Sequence, residues 1–372
     1  MAVRCGNVVR SMSARVLLAL LVTLPVYEAC QMERNYPLGP PAPPAGPQPP
    51  IPIPVPGGIP SLKPIQKPAG AQVLDSNLCN QSSAVDAGFQ AALNDAAGGT
   101  LWIPAGCIVN LSQANGISSN TTLACGMGAG IHNMSRIQCT GEANVIYGNN
   151  DTNVTIEGCT MTGTYDPSQA VADKAWEAAN GCPDWTYNGG DVAAFNGGSN
   201  ITFTDNAVTN TIADEGVFFG GINGATISKN VFASNFENGL QLSSCKNCNV
   251  TGNYVQDAGI DIEDAGPHPP GTNSGTWSRN TFACVNGIGN LVGGYTEVHR
   301  CNNNEACAVS AGIGCSNQAG QHCTPGEYSG ITFQNNLFTG SIMALYMSLD
   351  SGITLSDNIF TNGAETCSTG YY

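Results

Sequence analysis

The chain has 372 residues with 46 Gly, 22 Pro, 16 Cys and 38 Asn, and only 10% of it is charged, where about 25% is usual. Its formal net charge is −15 and its hydrophobic content 42%, too apolar for a disordered polyanion. The glycines follow no G-X-Y period, and the A/E/K/L/R richness of a bundle or coiled coil is missing, so a turn-rich chain with few long helices remains.

Residues 1–30 read as an export signal. Arg4, Arg10 and Arg15 make a positive start, and VLLALLVTLPV (16–26) is an 11-residue apolar core. That is too short to span a bilayer and fits the apolar region of a signal peptide, with cleavage expected near Ala29. No later apolar run approaches a membrane span, so membrane insertion is not expected. Cys30 is a candidate for lipid anchoring at the cell surface. Residues 31–70 are expected to form a linker, since 14 of the 22 prolines fall between 37 and 68. Proline fixes φ and favours extended polyproline II, a semi-rigid spacer. With Cys5 and Cys30 set aside, 14 cysteines remain. An even number in an exported chain reads as a disulfide framework, with Cys245-x-x-Cys248 as a local staple. Cys301, Cys307, Cys315 and Cys323 mark a cross-linked loop near 299–325.

The next segment, SSAVDAGFQAALNDAAGG (82–99), carries an expected capping box Ser83-x-x-Asp86. Val85, Phe89 and Leu93 fall on one helical face. A short helix ending at Gly98-Gly99 would cover the open apolar end of a solenoid, and TLWIPAG (100–106) is the expected first strand.

The solenoid itself is read from a repeat. One phrase (apolar, Thr or similar, apolar, two polar residues, Asn, any residue, apolar) recurs in NITFTDNAV (200–208), GATISKNVF (224–232), NCNVTGNYV (247–255), GITFQNNLF (330–338) and GITLSDNIF (352–360). TWSRNTF (276–282) is a degraded copy and NVTIEGCTM (153–161) a weaker one. The phrase asparagines, Asn206, Asn230, Asn253, Asn280, Asn336 and Asn358, are 24, 23, 27, 56 and 22 residues apart. The longest gap fits two coils, or one coil plus the cysteine-rich loop. Between phrases lies a second strand opened by Gly: EGVFFGG (215–221), NGLQLSS (238–244) and AGIDIED (258–264). In it Val217/Phe219, Leu240/Leu242 and Ile260/Ile262 alternate with a strand's period of two.

Such a period is that of an all-β, single-stranded right-handed parallel β-helix. Stacked asparagines would bond along an internal bend, where Asn tolerates left-handed backbone. Residues 71–372 are expected to form this domain, with an insertion near 164–190. The body of 304 residues from Ala69 holds roughly nine to eleven coils once loops are set aside.

The entry helix followed by the asparagine phrases resembles the pectin-lyase-like superfamily over about residues 75–372. The resemblance implies this fold and a polysaccharide partner. It leaves the reaction open, since that superfamily includes lyases, hydrolases, epimerases, tailspikes and adhesins. GIDIED is also similar to the D-G-apolar-D element of polygalacturonases, with Ala258 where the first aspartate would stand. The D-P-H-E element of mannuronan epimerases is absent.

Candidate chemistry gathers on the Gly-opened strands. Aligned on Gly216, Gly239 and Gly259, the position two before the glycine is Asp214, Glu237 and Asp257. The outward positions are Phe218/Gly220, Gln241/Ser243 and Asp261/Glu263. Carboxylates this close repel unless one is protonated or a cation lies between them. Asp261, Glu263 and Asp257 are therefore the candidate acid/base or nucleophilic groups of a glycosidase. Asp261, Glu263 and Asp264 are the alternative ligands for Ca²⁺. Asp214, Glu237 and Gln241 would line the groove, with Trp176 and Trp185 as sugar-stacking platforms. His268 is an added acid/base candidate, and Arg279 a further substrate contact. From Ala69 onward 6 Lys and Arg stand against 25 Asp and Glu, a balance of 6 − 25 = −19. Such a body repels nucleic acid. The sequence thus predicts a monomeric secreted hydrolase acting on a polysaccharide, with a Ca²⁺-dependent lyase or a non-catalytic surface β-helix as alternatives.

Overall fold

The computed structural model describes residues 62–134, 144–164, 191–211, 215–233, 238–256, 259–262, 273–283, 307–311, 330–339, 343–348, 353–361 and 366–369. The signal segment and nearly all of the proline-rich stretch lie outside the described residues. Residues Val55–Tyr372 form one compact unit.

Each phrase of the repeat supplies two strands separated by a bend, and each Gly-opened segment supplies a third. Ser199–Thr204, Ala207–Thr209 and Glu215–Gly220 make one coil; Asn223–Ser228, Val231–Ala233 and Asn238–Ser243 make the next. Equivalent strands of successive coils pair in parallel, giving three sheets of ten, nine and nine strands among the described residues. This is the right-handed parallel β-helix that the period predicts. In the order met along a coil they are the first, second and third sheets. Inward positions fill the core: Ile201, Phe203, Val208, Val217 and Phe219 are buried in this coil alone. Along the second sheet Phe282, Phe338 and Phe360 stack face to face, with centroids 4.8 and 4.9 Å apart. The sequence spacing of 56 between Asn280 and Asn336 resolves as a single coil, because Gly275–Ser278 pairs directly with Ile331–Gln334. The intervening residues add a third-sheet strand, Cys307–Ala311.

At the bend between the first and second sheets the asparagines form a ladder through the interior. Asn206, Asn230, Asn253, Asn280 and Asn336 are at most 2% exposed. Asn230 is representative. Its Oδ1 accepts the backbone N–H of Asn206 at 2.9 Å and Nδ2 of Asn206 at 3.2 Å. Its Nδ2 donates to the Phe203 carbonyl at 2.9 Å and to Asn253 Oδ1 at 3.0 Å, and its backbone N–H donates to the same Oδ1 at 2.9 Å. The pattern repeats to Asn358. At the other end the Cys159 N–H donates to Asn206 Oδ1, and Cys159 itself is bonded to Cys125. The left-handed residue is not the ladder asparagine but the one before it. Asp205, Lys229, Arg279, Asn335 and Asp357 have φ of 54–56°, and Gly252 has 65°. Two adjacent residues share the bend: the first turns the chain, the second turns its amide inward.

The cap also departs from expectation in detail. The helix is Asp86–Asp95, preceded by Val85, which makes no side-chain cap. Ser83 is therefore not the capping residue. Asp86, in the first turn, instead takes hydrogen bonds from Ser112 N, Ser112 Oγ, Gln113 N and Asn115 Nδ2. It ties the helix to the first coil while Phe89 and Leu93 join the core as expected. A two-residue strand, Gln72–Val73, edges the first sheet ahead of Thr100–Ile103. Three disulfides lie among the described residues: Cys79–Cys107, Cys125–Cys159 and the expected Cys245–Cys248 staple. No described helix is long and apolar enough to cross a membrane.

Asn253→Ala would leave the Asn230 N–H and one Asn230 amide hydrogen without an acceptor, and the Ile227 carbonyl without its donor. At ~1–3 kcal/mol for each unmet buried group, the variant should lose about 3 kcal/mol of stability. A drop in the guanidinium chloride midpoint measures it.

Candidate functional site

The Gly-opened strands all lie in the third sheet, and their register decides which side chains become neighbours. Val217 pairs with Leu240 and Phe219 with Leu242, all buried. Ile260 and Ile262 continue the two inward columns. Outward, Phe218 pairs with Gln241 and Gln241 with Asp261. The column runs on through Ala194 to Tyr147 on one side, and through Ser310 to Tyr346 on the other. Residues at ~4.8 Å intervals thus share one line parallel to the solenoid axis.

The opening glycines are only partly in register. Gly216 lies directly beside Gly239, where a Cβ would meet the Gly239 carbonyl oxygen at 2.7 Å. Gly259 instead pairs with Asn238, and the register shifts between Asn238 and Leu240. This irregularity restores the alignment by Leu240–Ile260, so Asp261 still falls beside Gln241.

Sequence reasoning placed Gln241 and Asp261 on one face, and the structure brings their strand positions together. Gln241 is 7% exposed, so its amide is largely covered although it stands outward. Arg279 is not brought to this column. It occupies the left-handed position of the first bend, exposed, beside the ladder rather than on the third sheet. Asp214, Glu237, Asp257, Glu263, Asp264, His268, Trp176 and Trp185 lie outside the described residues, and of Asp261 only the backbone is described. The Ca²⁺ alternative falls there too. Among the described residues no group of three or more His, Cys, Asp and Glu side chains is placed to hold a metal.

Two aromatics that sequence reasoning gave no part stand on the same column. Phe218 is half-buried, with its ring so close over Gly220 that a Cβ there would meet Cε1 at 2.6 Å. Tyr147 is half-buried two strands away. The available signal was the pairing of VIYGN with AAFNG and VFFGG once Ile146, Ala193 and Val217 are aligned as inward positions.

No family model matches the chain, and no curated protein matches it in sequence. Solved structures similar to it include an exopolygalacturonase from Thermotoga maritima, at 12% identity over 81% of this chain and 89% of that one, with a TM-score of 0.42. The polygalacturonase of Erwinia carotovora ssp. carotovora matches at 13% identity over 83% and 99%, TM-score 0.46. The surface protein and adhesin PfbA of Streptococcus pneumoniae matches at 11% identity over 80% and 99%, TM-score 0.34. The likeness is one of fold, a parallel β-helix. Hydrolases and an adhesin share it, so it assigns no reaction.

The outer face of the first sheet is polar in a different way. Thr204 Oγ1 lies 2.9 Å from Ser228 Oγ, and Thr251 Oγ1 lies 3.0 Å from Ser278 Oγ, so these hydroxyls pair with one another. Glu157 stands in the same column beside Thr204. Burial, and secondarily the nearby Asp205 carboxylate, push its pKa above the ordinary 4.5. The folded state then holds this proton more tightly than the unfolded chain. That contribution is full below pH 4.5 and is lost as pH rises through the raised folded value. Glu157→Gln should raise Tm on the order of 1 °C at pH 7, a modest shift because the group is partly solvated. Calorimetry across pH should show the gain disappearing in acid.

Proposed function

We propose that the protein is an exported polysaccharide-degrading β-helix that binds an extended glycan along the outer face of its third sheet. The observation that carries this reading is the single outward column Phe218–Gln241–Asp261. A glycan lying parallel to the axis meets one rung every ~4.8 Å. It would pass an aromatic side chain and, past the covered Gln241, a carboxylate position in turn. Phe218, whose ring lies against Gly220, and Tyr147 act as stacking platforms. The described disulfides support export, since such bonds persist in oxidising compartments.

In this reading Asp261 and Glu263 are the reacting pair. One carboxyl donates a proton to the glycosidic oxygen. The other, ionised, activates water or attacks the anomeric carbon, according to their separation. Asp257, Glu237 and Asp214 line the groove. Hydrolysis is favoured over β-elimination because carboxylates are plentiful on these strands and basic residues scarce.

The test is a panel of neutral and uronic-acid polysaccharides, assayed with Ca²⁺ and with chelator. Hydrolysis releases reducing ends without absorbance of unsaturated ends, and elimination releases both. Asp261→Asn should abolish cleavage with a nearly unchanged Tm; persistent cleavage would remove Asp261 from the mechanism. Phe218→Ala should weaken substrate binding roughly 3- to 10-fold while leaving kcat little altered, as loss of one stacking contact predicts. Absence of product from every glycan would mark the protein as a non-catalytic binder.

A further inference from the structure

The outer face of the second sheet carries one largely apolar column where a solvated sheet would be polar. Its outward column runs Ala207, Val231, Tyr254, Thr281, Leu337 and Ile359. Tyr254 is only 3% exposed and Leu337 9%, whereas Ile359 at the far end is 59% exposed. Part of the cover is described: Leu62 packs on Val231, Tyr254 and Ala283. Further back, Ile65 fills the space over Gly158, its Cδ1 2.5 Å from where a Cβ would lie. Residues 62–68 form neither helix nor strand. Leu62, Ile65 and Pro68 are half-buried, while Lys63, Pro64, Gln66 and Lys67 are exposed. A period of three is that of polyproline II.

We propose that this strap continues upstream, and that residues 56–61 cover the rest of the second sheet's outer face with Ile59 seated on Leu337. The phase of Leu62, Ile65 and Pro68 extends to Ile59 and Pro56, both apolar. Three residues of polyproline II advance ~9 Å, about two rungs of ~4.8 Å. From the Tyr254 rung, the middle of the three-rung cluster against which Leu62 packs, two rungs lead through Thr281 to Leu337. Pro56 then passes the last described rung, at Ile359. Leu62, immediately downstream of this segment, packs on the same face. The proline-rich stretch is thus two things: a spacer before residue 56, and from there a longitudinal strap of the solenoid. Proline suits the strap because it fixes the extended shape in advance and keeps unpaired N–H groups off an apolar face.

The full-length protein tests this without reference to any activity. Ile59→Asp should lower Tm by about 4 °C and speed cleavage within 56–61 by a broad-specificity protease at least tenfold. Pro60→Asp, one residue off the docked phase, and Ile53→Asp, in phase but past the last rung, should leave both readouts at wild-type values. Ile59→Ala and Leu337→Ala combined should lower Tm by less than the sum of their separate effects. If Ile59→Asp behaves like Pro60→Asp, or if the alanine pair is additive, the strap does not dock as stated. If Ile59→Asp is silent while Ile359→Asp dissolves a concentration-dependent dimer in sedimentation, a second copy covers the face and the proposal falls.

Discussion

A buried primary amide has two donors and an acceptor that takes two hydrogen bonds, and a parallel stack of bends offers a matching set of partners one coil away. That equivalence fixes the register of this protein. From Asn230 to Asn336 each ladder Oδ1 receives a backbone N–H and a side-chain N–H from the coil before, and each Nδ2 reaches one backbone carbonyl and the next Oδ1. Serine lacks the second donor and aspartate lacks both, so neither completes the pattern. A slip of one residue would put the amides on the solvent side and the inward phenylalanines with them. The ladder therefore sets the height of every coil, and the sheets follow.

Coil length can then vary only away from this bend. The step from first to second sheet is two residues wherever the ladder runs: Asp205-Asn206, Lys229-Asn230, Gly252-Asn253, Arg279-Asn280, Asn335-Asn336 and Asp357-Asn358. From second to third sheet the step ranges from two residues, between Gln256 and Gly259, to thirty, between Thr162 and Ala193. From third to first it ranges from two, between Gly220 and Asn223, to nineteen, between Ala311 and Ile331. The third sheet alone is bordered by variable connections on both edges. Variable segments on a rigid frame are where recognition is usually built, and of the candidate residues the strand positions of Gln241 and Asp261 belong to that sheet.

Much of the fold was legible because the repeat encodes both the inward side chains and the bend. Even the degraded phrase TWSRNTF makes a full rung: Trp277 fills the inward position opposite Val250 and Phe333, and Asn280 carries the ladder. What escaped depends on neighbours in space rather than in text. The left-handed residue of the bend had no single identity to find, since Asp, Lys, Gly, Arg and Asn all occupy it. The pairs Cys79–Cys107 and Cys125–Cys159 join coils that only the finished stack brings together. Ser83-x-x-Asp86 satisfies a capping pattern, yet Asp86 finds four stronger calls on its carboxylate in the first coil. The candidate site was legible as a column, Gln241 above Asp261. Phe218 was read as outward from the alternation but given no part, and Tyr147 was passed over because aromatic residues on strands are as often core as surface, and only register sets it on the same column.

The three outer faces now differ in what they can still accept. On the first sheet, hydroxyls of neighbouring coils already pair with one another, so each has part of its capacity spent within the protein. On the second, the apolar column is met by Leu62 and, as proposed, by the rest of the strap, which removes it from contact with a hydrophilic polymer. On the third, the outward column carries the half-buried rings of Tyr147 and Phe218 with Ala194 between them and Gln241 beyond. A sugar chain presents the complementary surface, apolar ring faces alternating with hydroxyl edges, and stacks on such rings while its hydroxyls reach the amide and carboxylate positions beside them. The same repeat that makes all three sheets alike in their interiors leaves their exteriors different among the described residues, and the proposal that a polysaccharide lies along the third sheet rests on that difference, whichever reaction follows binding.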